Sequence, residues 1–196
     1  MKRYLYLWHR WLGIALCLFM ALWFVSGVVM LYVGYPKLTP REHLAPLPEL
    51  TAAGCCIDPA QALAASGMSE APTSLRLTSV AGEPRYLLAY PGQPEVAVNA
   101  LSGARISAVD REAALTSAQA FAGGVAARYR GLVDEDMWSH SRALSAERPF
   151  HVVDVDDAQQ RRLYISSHTG RVWLDATARE RAWNWLGAWL HWLYPL

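Results

Sequence analysis

Apolar side chains crowd the two ends of this chain and alternate with polar ones between them. Residues 11–35 carry no charged side chain. At a rise of about 1.5 Å per residue, that run is long enough to cross a hydrocarbon core of roughly 30 Å. Hydrocarbon offers no water to backbone polar groups, so the pattern predicts a single membrane-spanning helix. Trp8, Trp11, Tyr32 and Tyr35 stand at its ends, where amphipathic rings suit the headgroup level. The run is too long for a signal-peptide core and no small-x-small site closes it, so a retained anchor is expected. Ala52-Ala53-Gly54-Cys55 resembles a lipoprotein processing site only faintly, lying behind prolines and charges.

Beyond the anchor the period changes. Pro36, Pro40, Pro46 and Pro48 mark residues 37–55 as a semi-rigid, extended spacer. Asp58-Pro59-Ala60 then starts a short helix, which Gly67 stops. Alternating runs follow at 74–78, 85–90 and 95–99, separated by Ala81-Gly82-Glu83-Pro84 and Pro91-Gly92-Gln93-Pro94, which predicts an antiparallel meander. The pattern recurs. Residues 96–106 line up with 163–173, each an apolar strand, a turn with a hydroxyl residue before glycine, and a strand restart. A helical segment at 111–121 and a strand pair starting at 150–155 lead into the second copy. The expected fold is therefore α+β: a transmembrane anchor at 1–36, the spacer, and two helix-plus-meander units at 56–108 and 109–176.

Residues 179–196 form a second apolar stretch, dense in tryptophan, after a threshold of Arg179, Glu180 and Arg181. Asn184, Gly187 and His191 share one helical stripe. About fourteen apolar residues do not span a bilayer. The stretch reads either as an interfacial helix or as the first turns of a second span.

Composition narrows the function. A formal net charge of +1 without a basic block argues against a nucleic-acid partner. Membrane lipid, other transmembrane helices or a second copy of the chain are the partners expected. Lys2, Arg3 and Arg10 before the span, against Lys37 and Arg41 after it, place the N-terminus in the cytoplasm and the large domain outside. Of three cysteines, Cys17 lies in the span, and the neighbours Cys55 and Cys56 are expected to be free or paired with another chain.

Catalytic patterns are scarce. Glu135-Asp136 and the cluster Asp154, Asp156, Asp157 read as solvated turns; their spacing fits no calcium loop. His140, His151 and His168 are irregularly spaced for a metal site. No phosphate-binding glycine loop or zincin helix is present in the sequence. On the first helix His9, Gly13, Met20 and Gly27 fall within roughly 40° of one another. That stripe suits close helix packing or approach of a flat macrocycle.

These residues carry a resemblance. His9-Arg10-Trp11-Leu12-Gly13 at the first span, and Arg181-Ala182-Trp183-Asn184-Trp185-Leu186-Gly187 with His191-Trp192 at the second, resemble the PepSY-associated transmembrane family. Ser102-Gly103, Thr169-Gly170 and the run from Arg148-Pro149-Phe150 through Tyr164-Ile165-Ser166 resemble the PepSY domain itself. The resemblance covers nearly all of the chain. It implies a bacterial inner-membrane protein with its PepSY units in the extracytoplasmic (periplasmic) space and a binding or regulatory role without a catalytic site of its own. Some members resemble ferric-siderophore reductases with b-type haem on transmembrane histidines. On that analogy His9 and His191 are the candidate haem ligands, in a split or truncated electron-transfer protein linked to iron uptake. The two lie at opposite depths of the expected span, so haem b would need histidines from another chain or a longer protein. PepSY units also occur as inhibitory pro-segments of secreted metallopeptidases, which implies a peptidase-interaction module as a third reading. No metal site is expected.

Overall fold

The computed structural model describes residues 2–50 and 55–193. Residue 1, residues 51–54 of the spacer and 194–196 of the C-terminal stretch lie outside the described residues. The chain divides into two units, one of Met1–Pro36 with Ala178–Leu196, the other Lys37–Thr177.

The first unit is helical. Helix α1 (Lys2–Tyr32) is long and apolar enough to cross a membrane or to serve as a signal segment. Its large side chains, from Leu5 and Trp8 to Leu31, are mostly exposed, whereas Ser26 is buried. An uncovered apolar surface of that size needs a cover, whether lipid or protein. Against α1 packs the C-terminal helix, which begins as α5 (Ala178–Asn184), widens into a π-helical turn (Trp185–Trp189), and ends as α6 (Leu190–Trp192). Glycine sets the approach: a Cβ on Gly187 would come within 3.1 Å of Val29 Cγ1, and one on Gly27 within 3.1 Å of His191 Cε1. Asn184 is buried and donates from Nδ2 to the Gly34 carbonyl oxygen (3.0 Å).

The second unit is a mixed α+β body with two four-stranded antiparallel sheets. The first sheet has the order β1-β2-β3-β4, from β1 (Ser74–Val80), β2 (Glu83–Ala89), β3 (Val96–Asn99) and β4 (Arg105–Ile106). The second has the order β5-β6-β7-β8, from β5 (Ala127–Val133), β6 (Phe150–Val155), β7 (Arg162–Ser166) and β8 (Val172–Ala176). A helix precedes each. Helix α3 (Pro59–Ala65) starts at an Asp58 capping box and packs Ala62 against Tyr86, Leu88 and Val98 of the first sheet. Helix α4 (Arg111–Phe121) is capped by Asp110 and packs Ala114, Ala118 and Phe121 against Val153, Leu163 and Ile165 of the second. The other face of the second sheet is closed by Trp138, Met137 and Leu144, over Phe150, Val152 and Tyr164.

The two hydroxyl-Gly turns have the same backbone pairing. Gly103 N–H donates to the Asn99 carbonyl and Gly170 N–H to the Ser166 carbonyl, both at 2.9 Å. Both glycines sit at nearly the same positive φ, a region that glycine enters without steric cost.

Three local readings change. The spacer is not simply extended: Thr39 caps a one-turn helix α2 (Pro40–Leu44) through a capping box with Glu42, and Leu38 packs on the α4 core. Strand β5 is not evident from its sequence, because two arginines and Gly131 dilute its apolar face and a bulge interrupts it between Tyr129 and Gly131. Cys55 and Cys56 form a vicinal disulfide pair rather than standing free.

Candidate functional site

The histidines singled out in the two apolar ends are not brought together. His9 is exposed and lies several helical turns before Ser26 on α1. His191 lies at Ser26. Its Nδ1 is 3.2 Å from both Ser26 Oγ and the Trp23 carbonyl oxygen, and its ring stacks on Trp23 with centroids 4.8 Å apart. Ser26 Oγ itself donates to the same carbonyl (2.9 Å). A carbonyl only accepts, so in the tautomer that donates to Trp23 the proton is on Nδ1 and Nε2 keeps its lone pair; in the other tautomer Nδ1 accepts from the Ser26 hydroxyl. Sequence spacing places Gly27 on a His9 stripe; in the structure the histidine that touches Gly27 is His191.

In the second unit His151, His168 and His140 are held in local pairings. His151 Nε2 pairs with the Val109 carbonyl (2.8 Å) and Nδ1 with the Tyr129 hydroxyl (2.9 Å). His168 Nε2 donates to the Arg148 carbonyl (3.0 Å), and His140 pairs with Glu135. Among the described residues no group of three His, Cys, Asp or Glu side chains is arranged to hold a metal. The acidic turn is tied to arginine: Asp154 contacts Arg130 (2.7 Å) and Arg162 (2.8 Å). Partial burial works to raise the Asp154 pKa, but hydrogen bonds and charge from the two arginines outweigh it and hold the carboxyl below its usual range. Tyr164 donates to Asp136 Oδ2 (2.7 Å); burial first, and the Asp136 charge second, push its phenol upwards.

A different cluster stands out, and none of it is evident from the sequence. Glu95 and Glu147 are both buried, and Glu147 Oε1 accepts from the Glu95 backbone N–H at 2.7 Å. Glu147 Oε2 accepts from Ser166 Oγ (3.0 Å). Burial is the main cause that raises the Glu147 pKa, with the Glu95 charge adding to it. Glu95 also takes Arg76 (2.9 Å) and Arg171 (3.1 Å), and Arg171 lies over the Trp173 ring at 4.3 Å. Arg85 Nη1 donates to the Thr169 carbonyl (2.9 Å). These bonds join the first sheet to the second.

Next to that network runs a groove of about 330 Å³. One wall is the strap of His43, Pro46, Leu47 and Pro48; the facing wall is Val80, Phe121 and Val172, with Ser79, Ser117 and Gly170 between. His43 and Arg171 also line an adjoining cavity of about 380 Å³, with Arg76, Thr78 and Trp173. Both ring nitrogens of His43, Ser79 Oγ and Arg171 Nε are buried without a hydrogen-bond partner. Desolvation, then the charges of Arg171 and Arg76, lower the His43 pKa to about 4, so its imidazole is neutral at pH 7. A groove of this volume with apolar walls and a few convergent polar atoms has the form of a small-molecule site.

The capping signature Thr39-Pro40-Arg41-Glu42 is a legible sign that His43 belongs to folded structure. The Glu95, Glu147 and Arg171 pairings have no local signal. Comparison of the chain with known protein families, characterised proteins and solved structures finds no match.

Proposed function

We propose that this protein is a membrane-anchored, extracytoplasmic binding or regulatory module of the PepSY type, in a bacterial inner membrane. The carrying observation is the order helix-then-meander, which occurs twice with the same backbone pairing in the Ser102-Gly103 and Thr169-Gly170 turns. In this reading α1 is the anchor and the groove beside His43 is where the Lys37–Thr177 unit meets its ligand. Retention of α1 is supported by what packs on it: cleavage after the apolar run would strip Asn184 and His191 of Gly34, Ser26 and Trp23. The reading assigns no chemical step to the chain. An export-dependent reporter fused after Asp175 tests it. Activity of the reporter, in a product that stays with washed membranes, is the expected result; an inactive reporter overturns the topology.

One observation favours a second reading, a part of a b-haem electron-transfer protein. A histidine whose Nδ1–H is bonded to a backbone carbonyl presents Nε2 as a ligand, which is how metal-bound imidazoles are oriented. His191 meets that condition in its Nδ1–H tautomer. His9, several helical turns along α1 from Ser26, does not share an iron with it in one chain. A reduced-minus-oxidised spectrum of purified protein supplied with haem separates the readings: a full b-type spectrum lost in His191→Ala would favour the second.

A further inference from the structure

We propose that the groove beside His43 binds a small carboxylate with a compact apolar body, its carboxyl group against His43, Ser79 and Arg171. The inference rests on the binding-module reading and names its ligand class.

Four features of the groove define that class. The volume, about 330 Å³, suits a small molecule rather than a folded partner. The walls of Pro46, Leu47, Val80, Phe121 and Val172 require an apolar body. On the residues that line it, the buried polar atoms left without partners are mostly donors: the Ser79 hydroxyl, one N–H of a neutral imidazole and the Arg171 Nε–H. Ser79 is 4% exposed, so its hydroxyl has little access to water. A buried donor left unmet costs about 1–3 kcal/mol, so a ligand that accepts from several at once gains that cost back.

The sign of the charge follows from the surroundings. Arg76 and Arg171 share the single carboxylate of Glu95. The charged side chains that line the groove and the adjoining cavity are Arg171 and Arg76, both basic, while Glu95 is part of neither lining. An anion suits that lining; a cation does not, and a neutral amide gains less from it. Arg171 is already held by Glu95 through Nη1 and by Trp173 through its face, so its Nε is fixed in direction before any ligand arrives.

The test uses the full chain in nanodiscs, with imidazole-labelled histidine and three probes of one shape: phenylacetate, phenylacetamide and benzyl alcohol. His43 is assigned by loss of its signal in His43→Gln. Phenylacetate should move the His43 signal in a saturable way and bind at least about tenfold more tightly than phenylacetamide. His43→Leu and Ser79→Ala, each removing one hydrogen bond, should weaken phenylacetate binding, read by calorimetry, by about fivefold. If the amide or alcohol binds as well as the acid, the charge inference is overturned and the binding-module reading stands. If no probe moves His43, the inference is overturned, and the binding-module reading is judged by its export reporter alone. If the acid binds equally well to both variants, its site is elsewhere and the inference falls.

Discussion

His191 is joined to Trp23 in two ways: its Nδ1 lies 3.2 Å from the Trp23 carbonyl oxygen, and the two rings stack at 4.8 Å. The contact exists because Gly27, one turn further along α1, has no side chain to hold the ring away. A Cβ there would stand 3.1 Å from His191 Cε1, close enough to require a small shift; anything larger must displace the ring. Gly27→Leu should therefore destabilise the α1–α6 pairing by about 1–3 kcal/mol, the usual range for overpacking. Gly27→Ala should cost clearly less. Thermal unfolding in detergent of the two variants checks the order; equal midpoints for Leu and wild type would show that the contact carries no weight.

Glu147 gives a prediction in which a substitution that looks disruptive is tolerated. Its carboxyl accepts two hydrogen bonds, from Glu95 N–H and Ser166 Oγ. Glutamine keeps both if its oxygen faces Glu95 and its amide donates to the rotatable Ser166 hydroxyl. It also removes the repulsion with the Glu95 carboxylate. Glu147→Gln should change stability by no more than about 1 kcal/mol at pH 7, while Glu147→Ala, which orphans the Glu95 N–H, should cost about 2–3 kcal/mol. The sign of the pH effect is fixed as well. Unfolded, this carboxyl releases its proton near 4.5; folded, it does so at higher pH. Between those values the native state holds more protons, so the Glu147 contribution to stability falls as pH rises. Denaturant midpoints across that window should show this slope in wild type and lose it in Glu147→Gln.

His43 acts with the opposite sign. Unfolded, it takes a proton below about 6.5; folded, only near 4. Between these values the unfolded chain binds more protons, so stability falls as pH drops from 6.5 towards 4. His43→Gln should flatten that part of the curve without a large effect at pH 7.5. Below it, the loss of Asp154 charge, whose pKa is held down by Arg162 and Arg130, should destabilise both proteins alike.

How far the chain is readable from its residues depends on the range of the interaction. Helix α4 follows from Asp110 as cap and the Ala114, Ala118, Phe121 spacing, all within about three turns. The hairpins follow from Ser102-Gly103 and Thr169-Gly170, where the required positive φ is written locally. Long apolar α1 is legible for the same reason. The groove is not, because its atoms come from the spacer, β1, α4 and the β7–β8 turn. Nothing in the sequence around His43 says that Arg171, over a hundred residues away, will be its neighbour. Buried Glu95 and Glu147 are likewise invisible, since isolated acidic residues usually sit in water. His191 stands out in the sequence through resemblance, which gives no sign of its contacts with Trp23 and Ser26.

The proposed function requires α1 to be a retained anchor, with the Lys37–Thr177 unit on the far side of the membrane from the N-terminus. Protease added to intact spheroplasts of an expressing bacterium tests this directly, with an N-terminal tag on the cytoplasmic side as the probe. The expected result is that the Lys37–Thr177 unit is digested while a tagged fragment of about the length of α1 survives in carbonate-washed membranes. Full-length, protected protein, or a mature chain that leaves the membrane without its first 36 residues, would contradict it.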